Sequence, residues 1–105
     1  RLVAISREKK FLHCLSVFQV SCDGEVVATV RNGQEVTFEV NESSHRIQCF
    51  YSHAGETGVK MYYSDLIYVQ EGVTNIKIIV RAGIGSIKAW MIDPILLKGK
   101  IVTPL

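Results

Sequence analysis

The chain has no apolar stretch near the ~20 residues that a bilayer-crossing helix requires; its longest candidates are Ile78-Ile79-Val80 and Ile95-Leu96-Leu97. No membrane contact is expected from this domain. It also has little excess of charge, with 12 basic against 10 acidic residues and a formal net charge of +2, so nucleic acid is not implied as a partner. The most basic run, Arg7-Glu8-Lys9-Lys10, is broken by an acid and lacks interleaved aromatics. It reads as a solvated strand end or loop.

Cysteine is scarce and odd in number. Cys14, Cys22 and Cys49 leave at least one thiol unpaired within a chain, which argues against a disulfide scaffold. Cys22 and Cys49 fall at inward-facing positions and read as reduced core thiols, with a Cys22 to Cys49 bridge as the alternative for an exported protein. Free thiols favour the cytoplasm. The chain begins at Arg1 without a methionine, so a targeting segment can have been removed, and localisation is left unassigned.

The motifs of nucleotide, metal and acyl-transfer chemistry are missing as well. Gly83-Ile84-Gly85 lacks the third glycine of a phosphate loop and precedes a strand pattern instead of a helix, so it reads as a turn. His13 beside Cys14, His45 near Cys49, and His53 match no standard zinc spacing, and neither metal nor cofactor is expected. A serine or cysteine nucleophile served by His45 and Asp65 is chemically conceivable. No nucleophile elbow supports it, so the domain is expected not to be an enzyme.

Helical periodicity is absent too, whereas strand periodicity is strong. Asp23-Gly24 and Asn32-Gly33 bracket a short alternating run, the best local hairpin signal, because such pairs accept positive φ. Cys14 to Cys22 places Phe18, Val20 and Cys22 on one face; Glu25 to Val30 turns Val26, Ala28 and Val30 inward. Gln34 to Val40 does the same with Val36, Phe38 and Val40.

A fourth strand, His45 to Ser52, has Ile47, Cys49 and Tyr51 facing in, and His53 to Gly58 follows as a loop. Val59 to Val69 is broken near Ser64-Asp65, Val73 to Arg81 faces Ile76, Ile78 and Val80 inward, and Ile87 to Ile92 stops at Asp93-Pro94. The tail, Ile95 to Leu105, can add one edge strand. Asn41-Glu42-Ser43 matches a glycosylation acceptor, but the simpler reading is that its Asn and Ser side chains bond the turn backbone.

A single domain over residues 1–105 is expected, which can be part of a longer protein. Its class is all-β: a two-sheet antiparallel sandwich, Ig-like in general layout, of seven to eight short strands. Among the aromatics, Trp90, Tyr62 and Tyr63 are the candidate contacts for a ligand or partner, since Tyr62 and Tyr63 must face opposite ways.

The run from Val17 to Gly24, continuing through Val30 to Val40 and on to His45-Arg46-Ile47, resembles the small bacterial β-sandwich modules of the PEGA-like type. The likeness covers roughly residues 17–47. Those modules usually place Pro and Gly before the histidine, where this chain has Glu42-Ser43-Ser44. The resemblance implies a non-enzymatic accessory domain with no catalytic residues to transfer. The expected role is protein interaction or spacing, through a partner or self-association at an edge strand, with a carbohydrate- or small-ligand-binding module using exposed aromatics as the alternative.

Overall fold

A computed structural model describes residues 1–11, 16–55, 58–83 and 85–92, so the tail proposed from Ile95 onward lies outside the described residues. Among the described residues there are nine strands and no helix. They are β1 Leu2–Arg7, β2 Phe18–Cys22, β3 Glu25–Val30, β4 Glu35–Glu39, β5 His45–Gly55, β6 Gly58–Tyr63, β7 Ile67–Val69, β8 Ile76–Gly83 and β9 Ser86–Ile92. One sheet runs β4-β1-β8-β9; the other runs β3-β2-β5-β6, with β7 paired to the start of β5 on the same edge as β6. The expected two-sheet β-sandwich is the architecture observed.

Alternation dictates the filling between the sheets. Val3, Ile5, Phe18, Val20, Val30, Ile47, Cys49, Tyr51, Val69, Ile78 and Val80 all point inward and are buried, as period-2 patterns require when one face of each sheet is covered. Tyr51 stacks on Phe18 with ring centroids 5.0 Å apart and on Tyr62 at 5.1 Å, forming an aromatic column through the middle of the core. Cys22 and Cys49 are buried and free, with no bridge between them. Burial pushes the Cys49 thiol up to about 12.

Five expectations are corrected. β1 precedes the first strand expected from the sequence; its Leu-Val-Ala-Ile run lacks alternation because it lies inside a sheet, antiparallel to β4 and parallel to β8. Arg7, assigned to a solvated charge run, ends β1 at 2% exposure. Its guanidinium carbon sits 3.6 Å from the Phe18 ring centroid, and Nη1 donates to the carbonyls of Ser16 at 2.6 Å and Val30 at 3.1 Å. Lys9 and Lys10 do reach solvent.

The two glycine turns differ in kind. Asp23 and Gly24 have φ of 54° and 87° and close the β2–β3 hairpin, as expected of an Asp-Gly pair. Asn32-Gly33 instead carries the chain from β3 in one sheet to β4 in the other. Only Gly33 has positive φ, 73°, and the Arg31 carbonyl accepts from the Gln34 N–H at 2.9 Å, the pattern of a type II turn. Lys10 N–H donates to Asn32 Oδ1 and Arg7 N–H to the Gln34 carbonyl, so the corner is fastened to the end of β1.

Val26 is 51% exposed instead of inward. A bulge shifts the β2–β3 register so that Val20 faces Ala28 but Ser21 faces Val26, placing Val26 on the outer side with Ser21. The segment read as a loop from His53 continues β5 to Gly55, where Gly55 pairs with Gly58 of β6. The break expected at Ser64-Asp65 is present: Ser64 is buried, and its Oγ accepts from the Cys49 N–H at 2.9 Å between β6 and β7.

Candidate functional site

Outward residues of the five-stranded sheet follow from the register. On β5 and β6 the outward pairs are Phe50 with Tyr63 and Ser52 with Met61, while Arg46 pairs with Tyr68 of β7. Val59 is 68% exposed and Tyr63 55%; Met61, Leu66 and Tyr68 are exposed too. Tyr63 leans on Phe50 with centroids 5.6 Å apart. Tyr68 Oη accepts from Arg46 Nε at 3.1 Å and Nη2 at 2.9 Å, so its ring is held upright against a guanidinium. Beside Arg46 lies an open depression of about 430 Å³ lined by Ser21, Asp23, Gly24, Arg46, Gln48 and Leu66.

Among the described residues this face ends at an open sheet edge. There β6 pairs with β5 on one side only, leaving main-chain donors and acceptors along Gly58–Tyr63 directed outward. The edge of β4 carries Glu35 and Glu39, and β3 carries the bulge. β6 has a single charged side chain, Lys60, among its six residues.

At one end of the same sheet the Asp23-Gly24 turn meets the start of β5. Asp23 Oδ1 accepts from the Arg46 N–H at 2.8 Å, and the Asp23 N–H donates to the Arg46 carbonyl at 2.8 Å. His45 Nδ1 lies 2.7 Å from Asp23 Oδ2 and its Nε2 2.9 Å from Asn41 Oδ1. Asn41 Oδ1 also accepts from the Ser43 N–H at 3.0 Å and from the Ser43 hydroxyl, so the Asn-x-Ser segment caps its own turn as the sequence suggests. The Cys22 Sγ stands 3.8 Å from Asp23 Oδ2.

Contact with His45, then the Arg46 N–H, holds the Asp23 carboxyl below its ordinary value of 3.8. A carboxyl whose folded value is depressed adds stability above its unfolded value, and that contribution is lost as pH falls through the folded one. Urea midpoints should therefore fall below pH 3.8 more steeply for the native chain than for Asp23→Asn. Parallel acid limbs would mean that the His45 contact does not tie the turn. Asn is chosen because it tolerates the positive φ at this position.

The three aromatics singled out in the sequence do not converge. Tyr62 is half-buried against Tyr51 in the core column. Tyr63 faces out from the five-stranded sheet, as the alternation of Tyr62 and Tyr63 requires. Trp90 lies on the outer face of the other sheet, 37% exposed, with the Arg81 guanidinium carbon 5.1 Å from its ring centroid. The acid beside His45 is Asp23, not Asp65, and the nearby thiol is Cys22, not Cys49.

Sequence reasoning missed this last cluster because its members are 22 residues apart in the chain. The signal was there: an Asp-Gly hairpin turn predicts that its aspartate stands beside whichever strand neighbours β2, and β5 begins with His45. No protein-family model, curated protein or solved structure matches the chain.

Proposed function

We propose that the domain is a non-catalytic β-sandwich module that binds a protein partner through the outer face and open β6 edge of its five-stranded sheet. The observation that carries this is the row Val59, Met61 and Tyr63 on a strand that is an edge among the described residues, exposed and continuous with Phe50, Leu66 and Tyr68. An edge of that kind accepts a further strand through its main chain while alternate side chains supply selectivity. Tyrosines offer large contact area at low entropic cost. The likeness to PEGA-like accessory modules in residues 17–47 points the same way.

The reading is tested by placing a photoreactive phenylalanine analogue at Met61 and, as a control, at Thr37 on the outer side of β4, then cross-linking in extracts of the source cell. Expected is a discrete adduct from position 61 that disappears when Tyr63 is also changed to Glu, with unfolding midpoints unchanged. The same adduct pattern from both positions would overturn it. Self-association at the edge would appear as a chain-to-chain adduct.

A second reading, binding of a carbohydrate or small ligand, is supported by Trp90, an exposed indole beside Arg81 and Lys88 on β8 and β9. A shift in its emission on titration with an oligosaccharide would favour it. Because Trp90 and Tyr63 belong to different sheets, each reading fails independently of the other.

A further inference from the structure

The contact between His45 and Asp23 is complete only with a positive charge in it. Asn41 Oδ1 accepts from the Ser43 backbone N–H, a group that can only donate, so the side-chain oxygen and not the amide nitrogen faces His45 Nε2 at 2.9 Å. Nε2 must then carry the ring's hydrogen. A ring with one hydrogen consequently presents the bare lone pair of Nδ1 to the Asp23 carboxylate at 2.7 Å, acceptor against acceptor. Either a second ring proton or a metal cation belongs between them.

A third donor decides between the two. Cys22 Sγ, Asp23 carboxylate oxygen and His45 ring nitrogen lie within 4.8 Å of one another, with Cys22 and His45 buried and Asp23 exposed. The Cys22 thiol also reaches Asp23 Oδ2 as a weak donor at 3.8 Å, so sulfur and imidazole converge on the same carboxylate oxygen. We infer that Cys22, Asp23 and His45 form a binding site for a zinc-class divalent ion, bound through Sγ, Oδ2 and Nδ1, with water in the fourth position. Imidazole, thiolate and carboxylate are that ion's usual ligands at about 2.0–2.3 Å.

The arrangement around the three donors suits that task. Asn41 fixes the ring orientation through Nε2, as outer partners of a metal-bound histidine do. The paired main-chain bonds between Asp23 and Arg46 fix the turn. The acidic side chains of Asp23 and Glu25 stand near the Cys22 thiol, and binding an ion through a thiolate releases the thiol proton to solvent. Oδ2 and Nδ1 must part to about 3.3 Å for tetrahedral coordination at such distances, a small swing for an exposed aspartate.

The test uses cobalt(II) as the probe on the reduced chain at neutral pH. One equivalent should give a thiolate-to-cobalt charge-transfer band in the near ultraviolet and visible bands of tetrahedral intensity, both abolished by one equivalent of zinc. Cys22→Ser should remove the charge-transfer band, and His45→Gln should weaken cobalt binding at least tenfold. Cys49→Ser should leave the spectrum intact. Thermal unfolding of each variant establishes that it is folded, and Asp23→Asn supplies a further variant that preserves the turn. A folded native chain without the charge-transfer band, or a band that survives Cys22→Ser, overturns the assignment and leaves a proton as the bridge.

Discussion

Tyr51→Ala is expected to lower the free energy of unfolding by about 3–5 kcal/mol, in the range for removing a large aromatic from a packed core. Tyr51 is centred on β5, the strand that pairs with β2, β6 and β7. Its ring lies between Phe18, with planes 16° apart, and Tyr62, at 21°. Removal therefore opens a void flanked by two aromatic faces, neither of which can move without leaving its own strand. Tyr51→Phe separates the ring from the hydroxyl and should cost far less. Urea denaturation with a constant m-value measures both, and a loss below about 1 kcal/mol for Tyr51→Ala would mean that the column does not hold the sheets together.

The second large effect is expected at Arg7. Arg7→Ala removes the Nη1 donor of the Ser16 and Val30 carbonyls together with the packing of the side chain on Phe18, and is expected to cost about 2–5 kcal/mol, the range for truncating a long buried side chain. Arg7→Met keeps most of the volume but leaves the Ser16 and Val30 carbonyls without their Nη1 donor. Each buried acceptor so abandoned costs about 1–3 kcal/mol. Arg7→Lys should not rescue, because an ammonium cannot donate from a planar fork while lying flat on a ring. If Arg7→Met proves as stable as the native chain, the guanidinium is not bracing the two sheets.

The class of fold was legible because most of its strands are half-buried. β2, β4, β5 and β8 each have one wet and one dry face, and the alternation of Phe18-Gln19-Val20-Ser21-Cys22 records that directly. β1 was not legible for the opposite reason. Between β4 and β8, even its outward Ala4 and Ser6 are partly covered, so small residues suffice there and no charged alternation marks the strand. The buried Arg7 was masked by its neighbours in sequence, since a four-residue charge run does not reveal which member falls on the inward register.

Turn chemistry was legible only in part. Asp23-Gly24 and Asn32-Gly33 both announce reversal, but a dipeptide cannot tell whether the next strand stays in the same sheet. The bulge opposite Ser21 leaves no composition signal either. The Cys22, Asp23 and His45 cluster required knowledge that β5 lies beside β2, a pairing across more than 20 residues of chain that local patterns do not encode.

The position of β1 also sets the order in which the molecule can be completed. β1 supplies the join between β4 and the β8–β9 hairpin, yet Val3 waits for Ile76 and Arg7 for Val80. During synthesis β1 emerges well before its β8 partner, and its sheet cannot close until the chain through Val80 has followed. Long-range pairing of this kind slows folding, because loop-closure entropy must be overcome before the contacts form. The β2–β3 and β5–β6 hairpins can form locally in the meantime, so the sheet with the open edge precedes the sheet that covers its other side.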